Sequence, residues 1–214
     1  RIRGVAGGAR RLKNRYGSSL ELLSHVQIWY VEKETRDLVR IQQCELLESF
    51  HKAQADYGLS TGLAVVSEVA ERVLPEQEVA EPMFRLLLLT AREIERRGDW
   101  QLPLAYFAYW TVKLGGWLPP LDRCVSCGKN LADGPAFQSA MFDGLYCESC
   151  RKAGMKPVSV AGREFGTRFA QKLEELEVAP SELNALRELR DTLLNWLEFH
   201  TERKLFAREM LETT

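Results

Sequence analysis

Cys124, Cys127, Cys147 and Cys150 form a Cys-x2-Cys-x19-Cys-x2-Cys array, and this spacing restricts the fold more than any other feature of the chain. Two thiolates three positions apart on a tight turn point to the same side. Two such pairs supply four soft ligands, the set that suits tetrahedral zinc. For both pairs to share one ion, the 19 residues between them must fold back on themselves. Asp143-Gly144, within Phe142–Leu145, predicts the hairpin turn that returns the second pair, and Gly128 predicts a positive φ directly after Cys127.

Two disulfides are the competing use of these cysteines, but they need an oxidising compartment, and nothing in the sequence points to export. Residues 1–20 lack the continuous apolar core of a signal peptide. The longest apolar run, Met83–Thr90, is interrupted by Arg85 and is far too short to span a bilayer. A cytoplasmic, reducing location is therefore expected, with no membrane partner. Four thiolates fill the tetrahedron, so the expected cofactor is one structural zinc ion and not a catalytic one. Cys44 lies far from the others in Cys-Glu-Leu-Leu and is expected at a helix start, as a small core residue.

The hydrophobic period divides the chain into an α+β arrangement. Residues 1–43 read as β: Ile2–Ala6, the alternating Leu20–Val31 and the returning Leu38–Ile41, with a turn at Glu34–Asp37. From Cys44 the period is helical. Leu46, Leu47 and Phe50 predict a first helix ending near Gly58, and Leu63–Leu74 a second. Pro82 opens a third that Gly98 closes, and Pro103 a fourth that ends at Gly115-Gly116. The zinc insert occupies about 117–153 of a helical domain covering 44–214. Helices over Val160–Leu176 and Ser181–Phe199 follow, the second capped by Ser181 and Glu182, with a continuation towards Leu211.

Charge is distributed unevenly. Residues 1–20 carry six basic residues and no acid, while the other 194 residues carry 23 basic and 30 acidic ones. The segment Gly7-Gly8-Ala9-Arg10-Arg11-Leu12-Lys13-Asn14-Arg15-Tyr16-Gly17 combines flexible glycines with four cations, which suits phosphate contact. A solvated hairpin loop is the bland alternative, and the absence of acid favours nucleic acid. Tyr16, Trp29 and Tyr30 are possible stacking platforms, although aromatics on alternating strands more often fill cores. Tyr106–Trp110 reads as packing between helices, and Arg92–Arg97 as a solvated helix end. His25, His51 and His200 stand apart, and neither a phosphate loop nor a nucleophile elbow occurs, so no catalytic set is expected.

The order of these parts resembles the RecO family of bacterial DNA repair proteins. The resemblance runs through essentially the whole chain. Its most specific part is Leu114-Gly115-Gly116-Trp117-Leu118-Pro119 leading into Asp122-Arg123-Cys124-Val125-Ser126-Cys127-Gly128, then Phe137 and the Gly144-Leu145-x-Cys147-x-x-Cys150 ending. It implies an N-terminal OB-fold whose first strands are missing here, a mainly helical C-terminal domain and a four-cysteine, zinc-ribbon-like insert. It implies a non-enzymatic, nucleoid-associated recombination mediator that binds single- and double-stranded DNA and anneals complementary strands. Implied partners are RecR, the tail of single-strand-binding protein, RecF and RecA, which it helps load onto covered single strands. Leu12 and Asn14 stand where the family commonly has proline and serine, and Asp143 replaces one of a glycine pair.

Onto this pattern we place DNA contacts at Arg10, Arg11, Lys13 and Arg15, and metal ligands at the four cysteines. Arg85, Arg92 and Lys113, beside apolar helix faces, are candidates for the acidic tail of single-strand-binding protein. The alternative is a zinc-stabilised helical scaffold that recruits proteins and does not act on DNA. A nuclease would need a clustered carboxylate motif that the sequence lacks.

Overall fold

The computed structural model describes residues 1–11, 15–33, 35 and 38–211. The turn expected at Glu34–Asp37 and the position of Lys13 lie outside the described residues. Strand β1 (Gly4–Val5) runs parallel to β3 (Val39–Glu48), which pairs antiparallel with β2 (His25–Val31), giving the order β1-β3-β2. Among the described residues this is an open three-stranded sheet and not a closed barrel.

The expected helix start at Cys44 is wrong. Cys44–Glu48 continues β3, because Val26 and Ile28 of β2 pair with Leu46 and Cys44. That cross-strand pairing overrides a helix-like local spacing. Cys44 is half-buried on the strand, its sulfur 3.9 Å from the Ser19 carbonyl, and a domain boundary at residue 43 would cut through β3. The first helix, expected from Leu46 to near Gly58, is only α1 (His51–Ala55), and the second, expected over Leu63–Leu74, is α2 (Tyr57–Val73), which starts six residues earlier. They separate at Asp56, whose carboxylate accepts the Leu59 N–H at 2.9 Å and so caps α2.

Helix α3 (Glu81–Arg97) ends where its sequence indicates, with Gly98 in the left-handed region at φ 62°. Its last turn is not simply solvated. Glu93 is buried and binds Arg96 at 2.6 Å and Arg97 at 2.8 Å, while Arg97 also donates to the Leu173 carbonyl at 2.7 Å. Helix α4 (Gln101–Leu114) is buried on nearly every side from Leu102 to Val112. As expected, its aromatic stripe is packing: the Tyr106 and Tyr109 rings meet Phe169 at 5.5 and 5.3 Å, and Trp110 Nε1 donates to the Phe169 carbonyl at 3.1 Å.

A second sheet, ordered β5-β4-β6, follows from β4 (Ala136–Ser139), β5 (Phe142–Cys147) and β6 (Lys156–Val158). Helix α5 (Val160–Arg168) is shorter than expected because the chain turns at Phe169 to bury Phe169, Leu173 and Leu176. Helix α6 (Leu183–Thr201) is preceded by a turn in which the Glu182 carboxylate, and not Ser181, accepts the Ala179 N–H at 2.9 Å. The short α7 (Phe206–Leu211) completes the described chain.

Carboxylates from neighbouring elements satisfy several exposed helix starts. Glu95 of α3 accepts the Lys52 and Ala53 N–H groups of α1, and Glu68 of α2 accepts those of Phe206 and Ala207 in α7. No helix among the described residues is long and apolar enough to cross a membrane.

The bond from Arg96, with help from Arg97, lowers the Glu93 pKa against the opposing effect of burial. A carboxylate depressed on folding stabilises above its unfolded pKa, and that stability is lost as pH falls through the lowered native value. Glu93→Gln is expected to remove about 2 kcal/mol at neutral pH. It should also flatten the loss of stability below about pH 4.3. Urea unfolding across pH tests this; wild-type and variant curves that stay parallel would contradict it.

Candidate metal centre and nucleic-acid interface

The first cysteine pair sits on a closed loop. Cys124 N–H donates to the Lys129 carbonyl and Gly128 N–H to the Cys124 carbonyl, both at 2.8 Å, while Leu131 N–H closes the base onto Asp122 at 2.7 Å. Gly128 has φ 72°, as its position after Cys127 predicts. The second pair occupies the end of β5 and the helical turn Glu148–Cys150. The hairpin before it is real, but its turn is Ala140-Met141, between the paired Ser139 and Phe142, and not Asp143-Gly144.

Gly144 has a different task. It lies within β5 at φ 80°, and a Cβ there would stand 2.3 Å from Val125 Cγ1. Val125 N–H donates to the Leu145 carbonyl at 2.9 Å, so the first loop is laid directly on β5. All four sulfurs consequently lie within 4.8 Å of one another, with Cys127 and Cys147 at 3.7 Å. A tetrahedron with zinc–sulfur bonds of about 2.3 Å has sulfur–sulfur edges of about 3.8 Å. The residues present fit such an ion. Convergence of all four on one point is what shared coordination requires and what two separate disulfides do not.

Electrostatics agree with that geometry. Burial opposes the Cys124 thiolate, but the N–H groups of Cys147, Cys127 and Ser126 outweigh it and lower its pKa to about 6. The Ser126 hydroxyl favours the Cys150 thiolate, yet the crowding sulfurs of Cys127, Cys147 and Cys124, with burial, push its pKa up to about 12. Four thiolates cannot share this space without a cation to balance them.

Arg163 of α5 was not singled out from the sequence. Its buried guanidinium donates to the Leu131, Gly134 (2.7 Å) and Ser159 (3.3 Å) carbonyls, fastening the cysteine loop to the helical body. Its loop partners lie about thirty residues upstream, so no local pattern marks it.

The basic segment divides into two groups. Arg1 and Arg3 pair with Glu76 at 2.7 and 3.3 Å and tie the sheet to the region between α2 and α3. Arg10 and Arg11 are exposed on a turn closed by Ala9 N–H to Ala6 O and Arg11 N–H to Gly8 O. Arg15 is exposed but also donates to the Tyr16 hydroxyl at 2.9 Å and to the Ile41 carbonyl at 3.4 Å. Ile41 pairs with Tyr30, so the end of the basic segment stands beside the strand carrying Trp29 and Tyr30, 40% and 43% exposed. Tyr16 is buried and is not a free platform.

The three partner candidates make different contacts. Arg92 is held by Glu48 in a two-pronged ion pair at 2.7–3.0 Å, joining α3 to β3. Arg85 pairs with Glu81 on the same helix and lines an apolar groove of about 260 Å³ with Pro82, Leu86, Leu89, Tyr106, Trp110 and Leu114. Lys113 stands at the side of that groove, its Nζ 4.4 Å over the Trp110 ring.

Comparison with known proteins gives two family matches: "Recombination protein O N terminal" over residues 1–50 and "Recombination protein O C terminal" over residues 54–209. Similar curated proteins are each named DNA repair protein RecO. That of Koribacter versatilis is 35% identical, covering 99% of this chain and 86% of its own. That of a Nocardioides species is 30% identical over 99% and 87%, and that of Syntrophobacter fumaroxidans 27% over 99% and 86%.

Gly144→Ala should force the Val125 loop off β5 and lower metal affinity at least tenfold while leaving the four ligands in place. Competition with a chromogenic chelator measures this, and unchanged affinity would contradict the assigned contact.

Proposed function

The chain belongs to the RecO family, and on that premise we propose that it is a non-catalytic mediator that binds single- and double-stranded DNA and anneals complementary strands. Its role is in DNA repair and recombination. The finer reading adds that it helps RecA load onto single strands covered by single-strand-binding protein, working with RecR and, in some settings, RecF, on the nucleoid.

The observation that carries the DNA reading is the acid-free turn bearing Arg10 and Arg11, followed by Arg15 beside the exposed aromatics of β2. Guanidinium groups fork onto phosphate oxygens, and aromatic faces accept unstacked bases without regard to sequence. We assign the sheet to part of an OB-fold module and Arg10, Arg11, Lys13 and Arg15 to phosphate contact. Neutralising the backbones of two strands while leaving their bases unpaired is sufficient for annealing. The four cysteines are read as ligands of one structural zinc, which holds the insert in shape and takes no part in chemistry.

Four phosphate contacts predict a slope of about −3 for log affinity against log salt on single strands. Replacing Arg10, Arg11 and Lys13 with alanine should bring it to about −1. Fluorescence anisotropy with a labelled strand tests this. An unchanged slope would sink the assignment, and no binding by the wild type would favour the protein-recruiting scaffold.

The groove between α3 and α4 has the chemistry for the acidic, aromatic-ended tail of single-strand-binding protein: an apolar floor with Arg85 at its edge and Lys113 nearby. Arg92, committed to Glu48, is a weaker member of the set. Charge reversal at Arg85 together with Lys113 should weaken a labelled tail peptide at least fivefold. Equal binding by the variant would remove the groove from the account.

A further inference from the structure

We infer that the outer face of the metal-binding insert, together with its edge strand β6, is a second contact for single-stranded nucleic acid, separate from the N-terminal turn. The inference rests on the DNA-binding reading above and gives that activity a second surface.

The sheet of the insert has two unlike faces. On the inner one, Gln138 is buried and accepts a hydrogen bond from Asn195 of α6 at 3.2 Å. Phe137 alternates with Gln138 along β4 and so faces away from α6, but it is buried, covered by Arg151. Phe137 pairs with Tyr146 across the sheet, and the Tyr146 ring meets Phe142 edge-on at 6.5 Å. Two cations lie over these rings: Arg151 at 4.7 Å from the Phe137 centroid, and Lys152 Nζ at 3.9 Å from that of Phe142.

A cation resting on an aromatic face is held extended, with its remaining N–H groups still presented to an anion. Exposed Lys156 pairs with Gln138 across β4 and β6 and so belongs to the other face. It stands at the edge strand, on the wall of a cavity of about 570 Å³ between the insert and α6–α7, where a nucleic-acid strand crossing from the outer face round β6 meets it. Lys204 and Arg208 continue the basic wall, though both pair with Glu198, at 3.2 and 3.4 Å. Acids among the described residues here include Glu148, 3.6 Å from Arg151, with Glu202 and Glu209 at the far wall. Met141, at the hairpin tip beside Phe142, is 74% exposed.

Outside its first 20 residues the chain has seven more acids than bases. A strand is repelled by most of that surface, so a local group of cations beside aromatic rings is where it can lie. Annealing also requires two strands to be held by one protein, and the N-terminal turn supplies a place for one. Arg151, Lys152 and Lys156 supply a place for the other.

The test uses the full chain with a 30-nucleotide strand and its complement, comparing wild type with the triple variant Arg151→Gln, Lys152→Gln, Lys156→Gln. The variant is expected to keep its metal content and its binding of the first strand within threefold. Its annealing rate should fall at least fivefold, and the salt dependence of annealing should flatten by about 2 in log–log slope. Acetylation footprinting of wild type, which needs no variant, should show Lys152 and Lys156 protected only when the strand is in excess. Unchanged annealing by a metal-replete variant, or equal acetylation with and without DNA, would overturn the second contact while leaving the first in place. A wild type that neither binds nor anneals DNA would overturn both.

Discussion

The approach of four sulfurs to a single point is the constraint on which the middle third of this molecule depends. Three short strands and two loops cannot bury enough apolar surface to fold alone. The cysteine loop is therefore fixed from several directions at once. Val125 lies on Gly144, Leu131 N–H closes on Asp122, and Arg163 reaches from α5 to hold two loop carbonyls. Cys124, Leu131, Leu145, Cys147 and Val158 belong to the same apolar cluster as Phe165, Leu189 and Trp196. A metal bound here would stabilise the helical body as well as the insert.

That body is organised around α4, buried on nearly all sides, and its helices are joined by charge as well as by packing. Glu68 and Glu95 cap helices other than their own, and Glu188 receives the Ser159 N–H at the start of α5. The same device fastens the N-terminal sheet. Glu48 at the end of β3 grips Arg92, and Glu76 receives Arg1 and Arg3. These pairs use cations that a charge map alone would assign to DNA, whereas Arg10, Arg11 and Arg15 stand exposed on the segment that follows β1.

Where a residue's role is decided by its immediate neighbours, the sequence was readable. The cysteine spacing, the positive φ of Gly128, the left-handed stop at Gly98 and the apolar stripe of α4 are local signals, and each has its expected consequence. Where a distant partner decides, the reading failed. Leu46 looks helical until Val26 of β2 pairs with it, and Phe169 ends α5 because α4 offers it a pocket. Arg163 gave no sequence sign of being buried because its loop partners lie about thirty residues away. Glu93, whose partners Arg96 and Arg97 are local, reads as a solvated helix pair until Arg97 is drawn in to the Leu173 carbonyl. Gly144 was rightly noticed for the wrong reason: it admits Val125 and does not make the turn. At the N-terminal site Arg15 stands beside the exposed strand, while Tyr16, a possible platform by sequence, is spent in the core.

The most direct test of the central claim is X-ray absorption at the zinc edge of the purified full chain, read together with metal stoichiometry. One zinc per chain with four sulfur ligands at about 2.3 Å is the expected result. Cys124→Ser should lose the metal, and with it the protection of the insert from hydrogen exchange. Nitrogen or oxygen ligands in place of sulfur, or a Cys124→Ser chain with its full zinc content and an equally protected insert, would contradict the account.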